Sequence, residues 1–443
     1  MKVLKFGGTS VGSVASIVNV KNILKAKTGK KVLVLSAMAG VTNKLVELTK
    51  MIEAKNNTEI AEIIAELKYK HDSTIDALIQ DEALNVSTKE LVQNILNELR
   101  EISKRNYSET VYAKVVTTGE RMLTTVFSGF LTSCDMENKL LDAKDFMHVA
   151  NLENPDTGLV GKKFRESTAG LQQPDIYITQ GFVRIDGNGS VSTLNRGGSD
   201  YSATILAAAL EASEAQIWTD IDGFHNNDPR YVENTHALAE LSFEEAAELA
   251  YFGAKILHPQ TISPVIKKQI PLFLKNTFTP ELPGTKISSE IHSRGLKAIS
   301  AKDGITAIKI KSNRMLMAHG FLKKIFEVFD TYETAIDMIT TSEIAISLTI
   351  DNTKNLDKIL AELNVCGEIT VEKDHSIICI VGEGLIEDKD TSRLFELLND
   401  IPVRMISYGG SANNISLLVA TENKIQTLQA LNRKLFEKEY EFV

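Results

Sequence analysis

The sequence predicts an α/β protein, in which a mainly parallel sheet covered by helices is followed by two copies of a smaller βαββαβ unit. Three observations predict this fold. Short apolar runs alternate with helical patterns over the first 300 residues, as in a parallel sheet with helices on both faces. That rhythm changes near residue 300. The remaining chain then repeats itself, with Phe326 and Phe395 on similar helical patterns and Ile346 and Ile415 at the same offset.

Five apolar runs are the predicted strands of the parallel sheet: 3–6, 31–36, 175–179, 214–220 and 270–274. Helical patterns lie between them, and the clearest cover 42–54, 58–80 and 201–211. Ser242 and Glu245 have the spacing of a capping box, which predicts a helix that ends near Phe252. The segment 58–105 is long, charged and helical, so we expect it to extend away from the sheet.

Each copy of the repeat shows strand, helix, strand, strand, helix and a final strand, which is the ferredoxin-like plan. The change of rhythm places the boundary near Arg294. We therefore predict a first domain over 1–294 and a first repeat over 305–374. The second repeat is predicted to combine 295–304 with 375–443.

Composition limits the classes of function. The 443 residues include 49 basic and 58 acidic side chains, giving a net charge of −9, which argues against a nucleic-acid or anionic-membrane partner. Cys134, Cys366 and Cys379 lie far apart without metal-ligand spacing, which is typical of reduced cysteines. The sequence shows no signal-peptide pattern and no apolar stretch of membrane-spanning length. We therefore expect a cytoplasmic protein.

Two glycine loops follow predicted strands. In the first, Lys5 precedes Gly7 and Gly8, and backbone N–H groups at such a turn before a helix can bind phosphate. The alternative is a plain strand-to-helix turn. The second loop, 195–201, combines an arginine, two glycines and Asp200, which suits an anion site. Its alternative is a polar turn in which Asp200 caps a helix. The two loops together favour the functional interpretation, although neither a P-loop nor a GxGxxG pattern occurs.

Eight motifs stand in the order seen in aspartate kinases: KFGGTSVGS, SAMAGVTN, TTGERM, TQGF, RGGSDYSA, WTDIDGF, DPR and YFGAKILHP. Over residues 1–282 the chain therefore resembles that family, and the repeat after it resembles a tandem pair of ACT domains. The resemblance implies an amino-acid-kinase fold. It also implies ATP-dependent phosphorylation of the side-chain carboxylate of L-aspartate to 4-phospho-L-aspartate, the first step of aspartate-family amino-acid biosynthesis, with Mg²⁺ accompanying ATP.

The resemblance also assigns roles to individual residues. It implies catalytic roles for Lys5, Asp200 and Lys255. The implied substrate-binding residues are Thr42, Glu120, Phe182, Arg196, Gly197 and Ser199. The implied nucleotide-binding residues are Gly7, Gly8, Thr219, Asp220, His225, Arg230 and Lys255, with His225 standing where the family usually has tyrosine. No protein metal ligand is implied, since phosphate oxygens and water would hold most of the Mg²⁺ coordination sphere.

The first repeat resembles the effector site of lysine-inhibited aspartate kinases. The implied effector-binding residues are Met315, Phe321, Leu322, Ile336, Asp337, Ser342 and Glu343. L-Lysine is the expected effector, and threonine is the alternative. ACT domains commonly pair across subunits, so we expect a homodimer or a larger assembly.

Two alternative functions remain open. The first is another kinase of the amino-acid-kinase superfamily, acting on glutamate, N-acetylglutamate or UMP, which the ACT-like repeat and the TTGERM and FGAKILHP stretches disfavour. The second is a non-catalytic amino-acid sensor with a decayed kinase domain. The charged residues of the matching motifs disfavour that, because Lys5, Arg196, Asp200 and Lys255 are all present.

Overall fold

The structure is a computed structural model that describes residues 1–170, 174–194, 197–253, 257–290, 293–312, 319–387, 394, 398 and 401–436. The chain forms two compact units. The first comprises Met1–Phe224, Ala239–Phe243 and Leu257–Glu290. The second comprises His225–Leu238, Glu244–Ile256 and Ile291–Val443, so far as these ranges are described. Within the described residues, no helix is both long enough and apolar enough to cross a bilayer.

The first unit contains an eight-stranded sheet with the order β3-β4-β2-β1-β7-β9-β10-β8. The six strands from β3 to β9 run parallel, whereas β10 is antiparallel to β9 and parallel to β8. The strands are β1 Lys2–Phe6, β2 Lys31–Leu35, β3 Asn138–Leu140, β4 Ile176–Gln180, β7 Glu214–Thr219, β8 Glu240–Ser242, β9 Leu272–Asn276 and β10 Thr285–Ser288, with a separate hairpin of β5 Val183–Ile185 and β6 Val191–Thr193.

All five predicted strands are present, within two residues of their predicted bounds. β2 and β4 are buried along their whole length, which explains their continuous apolar sequences, because a parallel sheet is covered on both faces. The strands that we did not predict, β3, β5, β6, β8 and β10, have three or four residues each. Such short segments carry too few residues to show a period.

Helices cover this sheet, and five of them begin at a side-chain cap. Ser13, Asn56, Asp81, Ser108 and Asp156 each accept a hydrogen bond from a backbone N–H of the first helical turn. The helices are α1 Val14–Lys25, α2 Val41–Ala54, α3 Asn57–Leu78, α4 Glu82–Ser103, α5 Glu109–Val116, α6 Thr118–Ser133, α7 Thr157–Thr168, α8 Gly198–Ala209, α9 Phe243–Tyr251 and α10 Pro259–Lys268. The long pair α3 and α4 confirms the helical segment predicted at 58–105, and most of α9 belongs to the second unit.

The second unit contains a six-stranded antiparallel sheet with the order β12-β13-β11-β14-β16-β15. Its elements are β11 Gly295–Lys311, α11 Phe321–Thr331, β12 Ile339–Thr341, β13 Ala345–Ile350, α12 Leu356–Leu363, β14 Glu368–Glu383, β15 Val403–Ser411, β16 Asn414–Ala420 and α13 Lys424–Leu435. β11 and β14 are long and pair along their length, with register shifts between Lys302 and Ala307. The helix predicted around Phe395 and the last strand of the second copy lie outside the described residues.

Two hydrophobic clusters lie along this sheet. In one, Ile308 and Ile310 of β11 pack with α11 and α12. In the other, Ile299 of β11 packs with β16 and α13. Val232 also belongs to this second cluster, although it lies within the predicted first domain, 1–294. The division into 1–294, 305–374 and 295–304 with 375–443 stays a prediction.

Candidate active site

The carboxyl ends of the central parallel strands lie level with one another. Phe6, the last residue of β1, is paired with Leu35 of β2 and Trp218 of β7, and Leu35 is paired with Gln180 of β4. The pairing of β4 with β2 extends one residue beyond β4, because the N–H of Gly181 donates to the carbonyl of Leu35 at 2.9 Å. The loops that follow these strands therefore meet at one edge of the sheet, where ligands bind in open α/β proteins.

A cavity of about 450 Å³ opens at this edge. Eight of the residues that the sequence predicted for the site line it together: Lys5, Gly8, Thr42, Glu120, Phe182, Gly197, Ser199 and Asp200. The prediction missed seven further lining residues: Ser36, Ala37, Met38, Ala39, Gly40, Asn43 and Gly198. Six of these seven belong to the SAMAGVTN motif, which was recognised as a motif but not assigned residue by residue.

Lys5 and Asp200 form an ion pair inside the cavity. Lys5 Nζ lies 2.6 Å from Asp200 Oδ1, and the side chains are 10% and 14% exposed. Lys5 is the next-to-last residue of β1, and Asp200 lies in the first turn of α8, where the helix dipole favours a carboxylate. Asp200 is therefore placed to orient the ammonium group of Lys5.

The cavity wall depends on close backbone approach at two glycines. Gly197 has φ +74° and caps α8, a conformation that glycine adopts at little cost. A Cβ added to Gly198 would lie 2.5 Å from the ring of Phe182. Phe182 itself has φ 70°, which is uncommon for an aromatic residue. The turn after β4 and the start of α8 are therefore fitted tightly against each other.

Glu120 provides a second charge-bearing group. It lies near the start of α6 and is 3% exposed. Its Oε1 accepts a hydrogen bond from the N–H of Ala37 at 3.2 Å, and among the described residues its buried Oε2 has no partner. Burial raises the pKa of Glu120 to about 7, against the smaller opposite effect of backbone hydrogen bonds. An unpartnered buried carboxylate oxygen is suited to accept a substrate ammonium.

The predicted nucleotide-binding residues lie in several places. Gly7 and Gly8 follow β1. Thr219 is the last residue of β7 and Asp220 follows it at the same sheet edge, with the Thr219 hydroxyl donating to Asp220 at 2.9 Å. His225 and Arg230 belong to the second unit. There the Arg230 guanidinium is paired with Asp228 at 2.6 Å, and His225 Nδ1 lies 3.0 Å from the hydroxyl of Thr235. Lys255 and the substrate residue Arg196 lie outside the described residues.

The predicted effector residues that the structure describes lie on different elements of the second unit. Met315 lies outside the described residues. Phe321 begins α11 and packs against its hydrophobic cluster together with Ile336, whereas Leu322 is exposed. The exposed residues Ser342 and Glu343 lie between β12 and β13. Asp337 is buried and is already paired with Lys302 at 2.8 Å.

Metal-ligating side chains are not grouped in the part of the chain that the structure describes. Within that part, no three His, Cys, Asp or Glu side chains come together so as to hold a metal ion. Of the carboxylates that line the cavity, Asp200 is paired with Lys5, and Glu120 accepts a hydrogen bond from the N–H of Ala37.

Comparisons with known proteins agree with this architecture. The model of the amino acid kinase family matches residues 1–276, and an ACT domain model matches residues 378–435. Lysine-sensitive aspartokinase 3 of Escherichia coli is 31% identical over 98% of this chain and 99% of the relative. The chloroplastic aspartokinase 3 of Arabidopsis thaliana is 33% identical over 98% of this chain and 81% of the relative.

Solved structures show the same likeness over the whole chain. E. coli aspartokinase III in complex with aspartate and ADP matches with a TM-score of 0.83 at 31% identity, covering 98% of this chain and 100% of that one. The complex of E. coli aspartokinase III with lysine and aspartate matches with a TM-score of 0.79 at 30% identity, covering 98% and 99%. The predicted fold, an amino-acid-kinase domain followed by ACT-type domains, is thereby confirmed, and the chain belongs to the aspartokinase family.

Proposed function

We propose that the cavity at the sheet edge transfers the γ-phosphoryl group of ATP to the side-chain carboxylate of L-aspartate, giving 4-phospho-L-aspartate. The observation that carries the proposal is the pairing of Lys5 with Asp200 in the same small cavity as the carboxylate oxygen of Glu120 that has no hydrogen-bond partner among the described residues. The cavity thus offers a cation for an anionic reacting group and an anion for an amino group. Both are needed for an amino acid whose side chain is phosphorylated. The product is the first intermediate of aspartate-family amino-acid biosynthesis.

The acceptor group needs no general base. The side-chain carboxyl of aspartate has an ordinary pKa of about 3.9, so it is already ionised near neutral pH. The difficulty is electrostatic, because a carboxylate must approach a negatively charged phosphoryl group. A preorganised cation in a site with little water reduces that repulsion. Lys5 supplies this charge, and Asp200 holds its ammonium in a fixed position before the substrates bind.

Substrate recognition uses the other residues of the cavity. Glu120 receives the α-ammonium of aspartate through its unpartnered oxygen. Thr42, Phe182, Gly197 and Ser199 shape the walls, and the tight contact between Phe182 and Gly198 limits the space for a longer acceptor such as glutamate. Arg196 binds the α-carboxylate by its position in the family motif.

The nucleotide lies on the loops that follow β1 and β7. Gly7 and Gly8 form the turn after β1. The N–H of Gly7 donates to the carbonyl of Trp218 at 3.2 Å, so we assign the backbone contact to a phosphate oxygen to the N–H of Gly8. Thr219, Asp220, His225, Arg230 and Lys255 complete the site according to the family motifs. Mg²⁺ accompanies ATP and neutralises phosphate charge when it is bound. Phosphate oxygens and water would hold it, because the carboxylate of Asp200 is already paired with Lys5.

The second unit senses an amino-acid end product, for which L-lysine is the proposed effector and threonine the alternative. The support is the similarity to a lysine-sensitive relative, one solved structure of which contains lysine and aspartate. We also propose a homodimer or a larger assembly that pairs through the ACT-type domains.

A coupled assay of ADP release tests the activity and the effector together. The purified chain is supplied with ATP and Mg²⁺ and with aspartate, glutamate, N-acetylglutamate or UMP, each with and without lysine or threonine. We expect turnover with aspartate alone and inhibition by lysine. Turnover with another acceptor would contradict the proposed substrate. Activity that does not change with lysine concentration would contradict the proposed effector but not the proposed kinase activity.

Lys5→Met tests the mechanism in the same assay. Removing a charge aimed at the reacting group should lower kcat by about 10²–10³-fold or more. Lys2→Met is the matched control, because Lys2 lies on the same strand and is also ion-paired, with Glu214 at 2.9 Å, but does not line the cavity. A Lys5→Met variant that keeps most of the wild-type kcat would show that the charge at this position is not used.

A further inference from the structure

The Asp337 carboxylate joins two elements of the second unit that are distant in sequence. Its Oδ1 accepts a hydrogen bond from the Tyr251 hydroxyl at 2.7 Å and from Lys302 Nζ at 2.8 Å. Lys302 Nζ also lies 4.1 Å from the centre of the Tyr251 ring. The side chain of Asp337 is fully buried, whereas Tyr251 is 38% exposed. Burial and the neighbouring carboxylate raise the pKa of Tyr251, which keeps its hydroxyl protonated and donating.

The two oxygens of Asp337 are used unequally. Oδ1 has two donors, whereas the buried Oδ2 has no hydrogen-bond partner among the described residues. Lys302 has a second partner, because its Nζ also lies 2.8 Å from Oδ2 of the half-exposed Asp351. The carboxylate can therefore accept another donor, and Lys302 can transfer to Asp351 without losing its ion pair.

Tyr251 is the last residue of α9, and α9 is attached firmly to the second unit. Glu245 of α9 is paired with Lys297 of β11 at 2.9 Å, with both side chains almost fully buried. Asn413 donates to Glu244 at 3.0 Å. Gly253, just after α9, has φ 123°, and a Cβ there would lie 1.9 Å from the carbonyl oxygen of Ala301. Tyr251 lies two positions before Gly253 and four before Lys255, the proposed nucleotide contact.

We propose that the Tyr251 hydroxyl transmits effector binding from Asp337 to α9. This inference rests on the proposed regulation by lysine. The ammonium of the effector takes the free Oδ2 of Asp337, and the second cation weakens the hold of Lys302 on Oδ1. Lys302 moves to Asp351, the carboxylate reorients, and the hydrogen bond to Tyr251 is lost or changed. Tyr251 acts as a positioning residue, and the two ligation states of Asp337 determine whether its hydrogen bond holds the last residue of α9.

The Tyr251→Phe variant tests whether Tyr251 is needed for inhibition by lysine but not for the binding of lysine. Lysine binding is measured by calorimetry on the full chain, and inhibition is measured at saturating lysine in the coupled assay. We expect lysine affinity within about threefold of wild type but a ratio of uninhibited to inhibited activity that falls at least about fivefold. Tyr332→Phe is the matched control, since its hydroxyl also donates to a carboxylate of the second unit, Glu362 at 2.5 Å, and it should change neither quantity.

Asp351→Asn provides a second test that does not depend on the stability of the Tyr251 variant. It removes the alternative partner of Lys302 at a half-exposed position. Lys302 then stays on Asp337, so lysine should bind at least about threefold more weakly. Wild-type affinity in this variant would overturn the exchange of Lys302 between the two carboxylates.

The outcomes distinguish the inference from the function on which it rests. A wild-type chain that neither binds lysine nor loses activity removes the proposed regulation, and this inference with it. Full inhibition of Tyr251→Phe, with an inhibited wild type, overturns the role of Tyr251 alone. Loss of lysine binding in Tyr251→Phe would also overturn it, because Tyr251 would then be part of the binding site and not a transmitter.

Discussion

At the scale of single residues, Glu120 combines a buried position with a role that requires charge. Its carboxyl is 3% exposed and accepts one hydrogen bond from the Ala37 N–H. Burial raises its pKa to about 7, so without substrate about half of the chains carry the protonated form at neutral pH. A bound α-ammonium would favour the ionised form. Aspartate binding and deprotonation of Glu120 should therefore be linked.

We expect the KM for aspartate to fall as the pH rises from about 6 to about 8, because more of the free enzyme then carries ionised Glu120. In Glu120→Gln, KM should be higher at about pH 8 and should lose this pH dependence. Glu98→Gln is the control, since Glu98 is an exposed carboxylate on α4 that pairs with Arg121 outside the cavity. A pH profile of KM that is identical in wild type and Glu120→Gln would contradict the assignment.

The same substitution gives a stability readout with a defined sign. The folded-state pKa of Glu120, about 7, lies above the ordinary value of 4.5. Its contribution to stability is therefore fully present below about pH 4.5 and is lost as the pH rises through about 7. Relative to wild type, Glu120→Gln should gain on the order of 3 kcal/mol between these limits, measured by denaturant unfolding. A stability difference that does not change with pH would exclude the raised pKa.

At the scale of secondary structure, α8 is the scaffold of the site. Most of its residues are buried, and its first turn carries Ser199 and Asp200 into the cavity. The N–H of Phe182 donates to the hydroxyl of Ser202 at 2.9 Å, which ties the helix to the turn after β4. The position of the Asp200 carboxylate, and through it that of Lys5, depends on this close fit.

Gly198→Ala should disturb that fit, because its Cβ would lie 2.5 Å from the ring of Phe182 and 3.2 Å from Cβ of Leu194. We expect a loss of about 1–3 kcal/mol in stability from overpacking and a fall of at least about tenfold in kcat/KM for aspartate. Gly187→Ala is the control, since its nearest neighbour would be Ala150 Cβ at an ordinary 3.4 Å. Unchanged kcat/KM in Gly198→Ala would show that the start of α8 can move without affecting the site.

At the scale of the whole molecule, the chain order does not coincide with the two compact units. Residues 225–238 and most of α9 precede residue 294 but belong to the second unit. The N–H of Ile299 donates to the carbonyl of Asn226 at 2.8 Å, and Val232 packs in the cluster that contains Ile299. The segments that carry His225, Arg230 and the approach to Lys255 are therefore folded together with the ACT-type part of the chain.

A chain truncated after residue 294 should consequently be unstable and inactive. It would leave Val232 exposed and the buried Glu245 without Lys297. Removing one partner of a buried ion pair costs on the order of 3 kcal/mol. Thermal unfolding and the coupled assay measure the effect, and Lys297→Met in the full chain isolates the contribution of the ion pair. A truncated chain with the wild-type kcat and a thermal midpoint within about 2 °C would contradict this view.

The sequence by itself determined the strands of the parallel sheet, the order of the motifs and the residue types of the site. Runs such as 31–36 and 214–220 are predictable because strands buried on both faces must be apolar along their length. Glycines at 7, 8 and 197 mark turns because few other residues tolerate close approach or positive φ. The residues that line the cavity were assigned by the resemblance of their motifs to those of the family, and several of these motifs follow strand ends, which a parallel sheet brings to one edge.

The environment of those residues depends on the tertiary structure. The raised pKa of Glu120, and its oxygen that has no hydrogen-bond partner among the described residues, result from burial of its side chain, for which no local sequence pattern exists. The binding of Asp337 by Tyr251 and Lys302 joins residues up to 86 positions apart. The membership of 225–238 in the second unit follows from packing with Ile299. Each of these features arises from contacts between distant parts of the chain, and sequence periodicity reports only the faces of single elements.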